Sequence, residues 1–188
     1  MRKTLTILLS VLMVSGFVSC NSKTESIENE QTEERQSDSN EEQRPSPLEI
    51  KQGQINGKDF LVQYGSPAVK GRTLWGDLVP YEVVWRTGAN EATFVELKEE
   101  MKIQGKSIQP GKYSLFTIPK SSGAWTVILN SEWDLEHGHF QYDEKNDVLR
   151  VEVTPVWEET SQERLSIDLE APGLVIRWEK LKLPITIE

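Results

Sequence analysis

Cysteine is nearly missing from this chain. Of 188 residues only Cys20 is one, so no internal disulfide can form. Histidine is almost as scarce, with His137 and His139 the whole supply. Positive charge is in deficit, 21 basic residues against 30 acidic ones, for a formal net charge of −9. That balance excludes nucleic acid as a partner. No Gly-rich phosphate-cradling loop and no Gly-x-Ser-x-Gly elbow is present, so no nucleotide or other cofactor is expected and a serine hydrolase has little support.

A membrane-spanning run is missing too. Leu5–Val18 is apolar for 14 residues, short of the roughly 20 that span a bilayer. Behind Arg2-Lys3 it fits the apolar region of an export signal. Phe17-Val18-Ser19-Cys20 resembles the bacterial lipoprotein box, with Phe where Leu is usual. That resemblance implies acylation of Cys20 and a lipid-anchored place in the bacterial cell envelope. The outer membrane is expected, on its periplasmic or surface face. Two or more acyl chains would hold stably, since each buried methylene contributes about 0.8 kcal/mol. The plain alternative is a secretory signal with an incidental cysteine.

Residues 21–45 lack aromatics and carry eight acidic and three basic residues among many Ser, Gln and Asn. Such a segment cannot bury enough apolar surface to offset its ordering entropy, and we expect a disordered tether that is dispensable to folding. Residues 46–188 remain as a single domain, long enough for a real core without disulfides.

From Leu48 onward the pattern is short alternating runs broken by turns, which predicts an all-β domain. Asn56-Gly57 suits a two-residue hairpin between Leu48–Ile55 and Lys58–Tyr64. Gly65–Pro80 reads as a long loop, and Val83–Trp85 as a strand-like run. Lys112–Pro119 carries bulk on both faces and should be central. Leu149, Val151 and Val153 alternate with Arg150 and Glu152. Leu165, Ile167 and Leu169 form the next run, followed by Leu174, Ile176 and Trp178. Pro155 and Pro184 suggest sheet edges, which a closed barrel lacks. The expectation is a two-sheet antiparallel β-sandwich of about eight to ten strands. At most one short helical turn is allowed, near Ser131–Glu136, where Ser131 and Asp134 resemble a capping box. Trp85, Trp125 and Trp178 read as core, and Trp75, Trp133 and Trp157 as partly exposed.

Five stretches carry a family resemblance: Tyr64-Gly65-Ser66-Pro67, Leu78-Val79-Pro80-Tyr81, Val84 through Thr93, Pro110 through Pro119, and Tyr142-Asp143 through Asp147-Val148-Leu149-Arg150-Val151. In order and spacing the chain resembles, over about Gln54–Ile187, the bacterial domain-of-unknown-function family numbered 2911. The resemblance implies an envelope-associated protein, often lipid-anchored or secreted, with no established activity. The chain departs from the family pattern around Trp133–Phe140, where Glu136-His137-Gly138-His139 replaces a Trp-Gly-Ala-like stretch.

The candidate chemistry gathers at Val84–Thr93. An apolar approach meets Arg86, a Gly88-Ala89-Asn90 corner and Glu91. One interpretation is a recognition site for a polar or anionic group. Arg86 would supply a planar fork of donors, Thr87, Asn90 and Glu91 polar groups, and Lys70 or Arg72 help from the preceding loop. The other is architecture, with Arg86 paired to Glu91 and Asn90 in a left-handed turn position. His137 and His139 would point the same way on a strand, and Asp134, Glu136 or Asp143 could complete a metal shell. A solvated loop is preferred, with no metal. Glu91 with Asp77 or Asp143 could form a hydrolytic carboxylate pair, though nothing sets their spacing; no catalytic residue is assigned.

The expected function is therefore a non-catalytic, lipid-anchored envelope domain that binds a small polar ligand or an envelope protein. The alternative is an envelope hydrolase of a polar glycan or peptide. Cys20→Ser, expressed in a host that processes lipoproteins, should leave the membrane fraction or stall unprocessed. Unchanged membrane retention with normal cleavage would overturn the anchor.

Overall fold

The computed structural model describes residues 44–188. The export signal, Cys20 and the tether up to residue 43 lie outside the described residues. Residues 44–188 fold as an all-β sandwich of ten strands.

Six strands make one antiparallel sheet. They are β1 (Leu48–Ile55), β2 (Lys58–Gly65), β3 (Phe94–Leu97), β6 (Gly111–Ile118), β7 (Trp125–Asn130) and β8 (Asp147–Val153), in the order β1-β2-β3-β6-β7-β8. The β1–β2 turn is the one its sequence predicts. Asn56 and Gly57 hold φ of 52° and 80°, the left-handed pair a two-residue hairpin requires. The second layer is a long hairpin of β9 (Val156–Glu170) and β10 (Gly173–Thr186). A small hairpin of β4 (Met101–Ile103) and β5 (Lys106–Ile108) joins the chain's end, where Ile103 bridges Ile187.

The main core holds inward residues of the six-stranded sheet, such as Val62, Val95, Leu115 and Leu129, together with Ile167, Ile176 and Leu183 of the long hairpin. Four of the six tryptophans, Trp75, Trp85, Trp125 and Trp178, meet there, with Trp157 against them at the surface. Trp75, dropped in from the loop after β2, has its ring 5.0 to 6.0 Å from those of Trp85, Trp125, Trp157 and Trp178. All four contacts are edge-on, the arrangement a ring quadrupole favours. Trp85 and Trp178 stack at 5.8 Å. Trp85, Trp125 and Trp178 are buried, whereas Trp75 and Trp133 are half-buried and Trp157 is exposed.

β6 is central, as its two bulky faces suggest. It pairs with β3 on one side and β7 on the other. Tyr113 and Leu115 face the main core, and Phe116 points the opposite way into a second, smaller cluster with Ala92 and Ile128. Val84, Leu135 and Tyr142 pack against that cluster. The loop between β7 and β8 therefore covers the outer face of the sheet.

Two local expectations change. Val83–Trp85 is not a strand; only Trp85 makes a ladder contact, an isolated antiparallel bridge to Thr117 of β6. Val83 is exposed and the chain leaves the sheet immediately after Trp85. Nor does Ser131–Glu136 form the helical turn. The N–H of Ser131 donates to the carbonyl of Asn146 instead, and two single turns of 3-10 helix lie farther on, at Gly138–Gln141 and Glu144–Asn146.

The end of β2 seats the corner beyond Trp85. A Cβ added at Gly65 would lie 2.1 Å from the carbonyl oxygen of Ala89. Backbone atoms cannot yield as a side-chain tip can. Gly65→Ala should therefore cost about 1–3 kcal/mol or more, the range of overpacked sites, read as a lowered urea midpoint. A midpoint equal to wild type would show that the corner is not clamped there.

Candidate functional site

Trp85 fixes where the corner begins. Its N–H donates to the Thr117 carbonyl at 2.8 Å, and the Thr117 N–H donates back at 2.9 Å. The chain then turns through Thr87, whose φ of 56° is rare for a β-branched residue. Such a conformation costs on the order of 1–3 kcal/mol and persists only where the surroundings over-determine it. Here they do. The fully buried Thr87 hydroxyl lies 3.2 Å from the Thr117 hydroxyl and 3.3 Å from the Trp85 carbonyl, and Thr93 donates its hydroxyl to the Thr87 carbonyl at 3.0 Å. Asn90 takes a left-handed φ of 65°, the position Asn tolerates.

This strained turn aims Arg86 at the histidine loop. Its Nη1 lies 2.9 Å from Nδ1 of His139. A guanidinium can only donate, so Nδ1 accepts and the imidazole proton resides on Nε2. Gly138 makes the contact possible. Its φ is 55°, and a Cβ there would lie 2.4 Å from Cδ of Arg86. The loop thus rests directly on the arginine stem. His139 is half-buried rather than solvated, which corrects the expectation for this loop. His137 is exposed, and its N–H donates to the Gln141 side chain. The two histidines sit on a 3-10 turn and its cap instead of a strand, so they do not present a common face. Among the described residues no three His, Cys, Asp or Glu side chains gather as a metal ion would require.

The expected Arg86–Glu91 bridge is not made. Nη2 of Arg44 donates to both oxygens of Glu91, at 2.9 and 2.6 Å. Arg44 belongs to the segment expected to be an idle tether, and its end is docked. Next to it, the Ser66 N–H donates to the Pro47 carbonyl at 2.8 Å and the Asn90 amide reaches the Ser46 carbonyl at 3.5 Å.

Arg86 is therefore half-buried beside a neutral imidazole, and its Nε has no hydrogen-bond partner among the described residues. Burial pushes its pKa down, and the charge of Glu91 acts in the opposite sense. Burial, then the neighbouring Arg86 charge, pushes the His139 imidazole down from its ordinary 6.5. Arg86 and His139 line a cavity of about 190 Å³ with Arg72, Ser46 and an apolar wall that includes Trp85 and Trp178. Among the described residues no carboxylate lines it. The Nε1 of Trp178 is likewise buried without a partner there.

The other sequence candidates scatter. Arg72 lines the cavity while its own guanidinium also caps the carbonyls of Ala68 and Val69. Lys70 is exposed and does not line it; its backbone N–H is held by Glu163. Thr87 is buried in the turn's own hydrogen bonds, and Asn90 is exposed. Glu91 lines a neighbouring cavity of about 310 Å³ with Asp134, Glu136 and the Phe94–Trp133 pair, where the Lys112 ammonium stands 4.3 Å from the Trp133 ring. Neither Asp77 nor Asp143, the candidate partners of Glu91, lines that cavity. Asp143 instead caps a 3-10 turn through the Lys145 N–H. His139 is the residue sequence reasoning missed as a partner of Arg86; the glycine between the two histidines was its only signal.

The pH consequence has a definite sign. The unfolded chain takes up a proton on His139 near pH 6.5 and the folded chain only below that. This contribution to stability is fully present above 6.5 and is lost as pH falls through 6.5 toward the lower folded value. His139→Gln should flatten the stability difference between about pH 7.5 and about pH 5, measured by urea midpoints. An unchanged pH slope would show that burial beside Arg86 does not depress the His139 pKa.

Residues 46–187 match the model of a family described as "Protein of unknown function (DUF2911)". No curated protein and no solved structure matches the chain.

Proposed function

The chain belongs to the DUF2911 family, a family of unknown function, and we propose that it is a lipid-anchored domain of the cell envelope that binds a small anionic ligand without transforming it. The observation that carries this reading is that Arg86, half-buried, makes no ion pair among the described residues and leaves its Nε without a partner there. A half-buried guanidinium ordinarily takes a carboxylate partner, because an unpaired charge out of water is costly. Glu91 is held by Arg44, and His139 offers only a neutral nitrogen. An entering carboxylate or phosphate oxygen would supply the missing charge. Arg72, His139 and Ser46 line the same space.

The size and wall of the cavity narrow the class. The cavity holds about 190 Å³, small for a ligand site. Leu78, Val79, Trp85 and Trp178 make one side apolar. A single anionic group on a short apolar body fits both features. The export signal and Cys20 support the envelope location and the anchor.

A hydrolase remains the second reading, because three carboxylates, Glu91, Asp134 and Glu136, line the neighbouring cavity. Both oxygens of Glu91 are engaged by Arg44, which leaves it poorly placed to move a proton.

Benzoate and inorganic phosphate serve as probes, followed by calorimetry on residues 44–188. Benzoate should bind, and Arg86→Ala should abolish binding while costing only about 1–2 kcal/mol of stability, since Glu91 keeps Arg44. An anion beside His139 favours its protonated form, so binding should tighten as pH falls from about 7 toward about 5. Absence of binding by either probe, or binding untouched by Arg86→Ala, would retire the site.

A further inference from the structure

Resting on that reading, we propose that Arg44, at the end of the tether, is a positioning residue for the anion site. It holds Glu91 away from Arg86 and so keeps the pocket's cation available.

Glu91 is the natural competitor for any anion at this site. It stands five residues after Arg86, and its negative charge already reaches the guanidinium, where it opposes the effect of burial. Left free, a carboxylate so close would swing toward a half-buried guanidinium whose Nε has no partner among the described residues. It does not, because one nitrogen of Arg44 takes both of its oxygens. The Arg44 side chain is only 23% exposed, so the pair is shielded on the arginine side. Two further contacts seat the segment that carries Arg44. Ser66 holds the Pro47 carbonyl, and Asn90, within the corner itself, reaches the Ser46 carbonyl. Ser46 is also part of the cavity lining. The segment thus contributes Ser46 to the pocket wall and, through Arg44, removes the pocket's internal rival.

Two alternatives fit the observations less well. A structural clamp alone would explain the ion pair but not why Ser46 lines the pocket. A free surface pair would be exposed on both sides and of little energetic consequence. The arrangement also implies reciprocity: an anion on Arg86 favours Glu91 on Arg44, and therefore favours the docked tether end. Ligand occupancy and seating of the anchor-proximal segment are coupled.

The test is a double-mutant cycle on residues 44–188 with benzoate as the probe, read by calorimetry, alongside the His139 titration followed by NMR. Arg44→Ala should weaken benzoate binding about tenfold or more, the least a carboxylate in reach of a guanidinium does to it. Glu91→Gln should bind as well as wild type or better. Arg44→Ala/Glu91→Gln should restore binding, which a merely structural role for Arg44 would not allow. Without benzoate, Arg44→Ala should raise the His139 pKa toward its ordinary value, as Glu91 offsets the Arg86 charge. Should Arg44→Ala fail to fold, the double variant carries the binding comparison with wild type and Glu91→Gln. Binding by Arg44→Ala equal to wild type, or a double variant no better than Arg44→Ala, would overturn the proposal. If wild type binds neither benzoate nor phosphate but the His139 pKa shifts as stated, the anion-site reading falls and the positional role of Arg44 stands. If that pKa is unmoved, the role of Arg44 falls as well.

Discussion

The two-way backbone pairing of Trp85 with Thr117 is the constraint on which the rest of the molecule turns. It is a single bridge, not a strand, yet it joins three things. The indole locks into the tryptophan cluster between the sheet and the long hairpin. The chain is forced to leave the sheet at the next residue. Arg86 is thereby launched from a point fixed by the centre of the core. A strand continuing past Trp85 would have carried the arginine along the sheet and exposed it. The left-handed turn at Thr87 is the cost of that departure, met by three buried hydroxyl contacts and by the close seating of Ala89 over Gly65.

Much of the architecture was legible because turns and alternation speak locally. Asn56-Gly57 and Gln104-Gly105 mark hairpins whose left-handed residues the structure displays, with φ of 49° and 77° at the second pair. The alternation of Leu149, Val151 and Val153 gives β8 directly. The long hairpin was harder to see whole. Leu174, Ile176 and Trp178 point inward at even positions, whereas Leu181, Leu183, Ile185 and Ile187 point inward at odd ones. The phase changes at Glu179, where φ is 53° and the pairing register shifts on both sides. A bulge inserts one residue and re-aims the side chains beyond it. Read by periodicity, one strand looks like two. The charged stretch of β9 between Glu158 and Arg164 hides in the same way, because most of it faces solvent and carries no apolar beat.

The candidate site was legible in composition and illegible in pairing. The density of polar groups between Arg86 and Glu91 drew attention to the corner, where Thr87 and Asn90 both take left-handed φ. Proximity in sequence then suggested an Arg86–Glu91 bridge. Tertiary contacts override it, because Arg44 and His139 arrive from 42 residues before and 53 residues after Arg86. No local rule reaches that far. The histidines show the same limit. A His-x-His spacing implies a shared face only on a strand, and a 3-10 turn sends the two rings to different surroundings. What distinguishes His139 is the space left by Gly138, which is a property of Arg86 as much as of the loop.

The arrangement at the corner has an electrostatic logic that a tally of ion pairs would miss. Two cations and one carboxylate lie close together, and the carboxylate pairs with the outer cation, not the buried one. Pairing Glu91 with Arg86 would give the buried charge a partner at the shortest loop closure. It would also bring a second charge into the half-buried space and leave Arg44 in water, where it needs nothing. The observed choice keeps Glu91 at the rim, half-exposed, and leaves the deeper guanidinium against an imidazole that contributes geometry without charge. Burial lowers the tendency of both Arg86 and His139 to hold a proton, and the Arg86 charge lowers that of His139 further. A site in that condition is relieved by the arrival of negative charge. A strained turn, a glycine-fitted loop and a docked chain end meet at this corner.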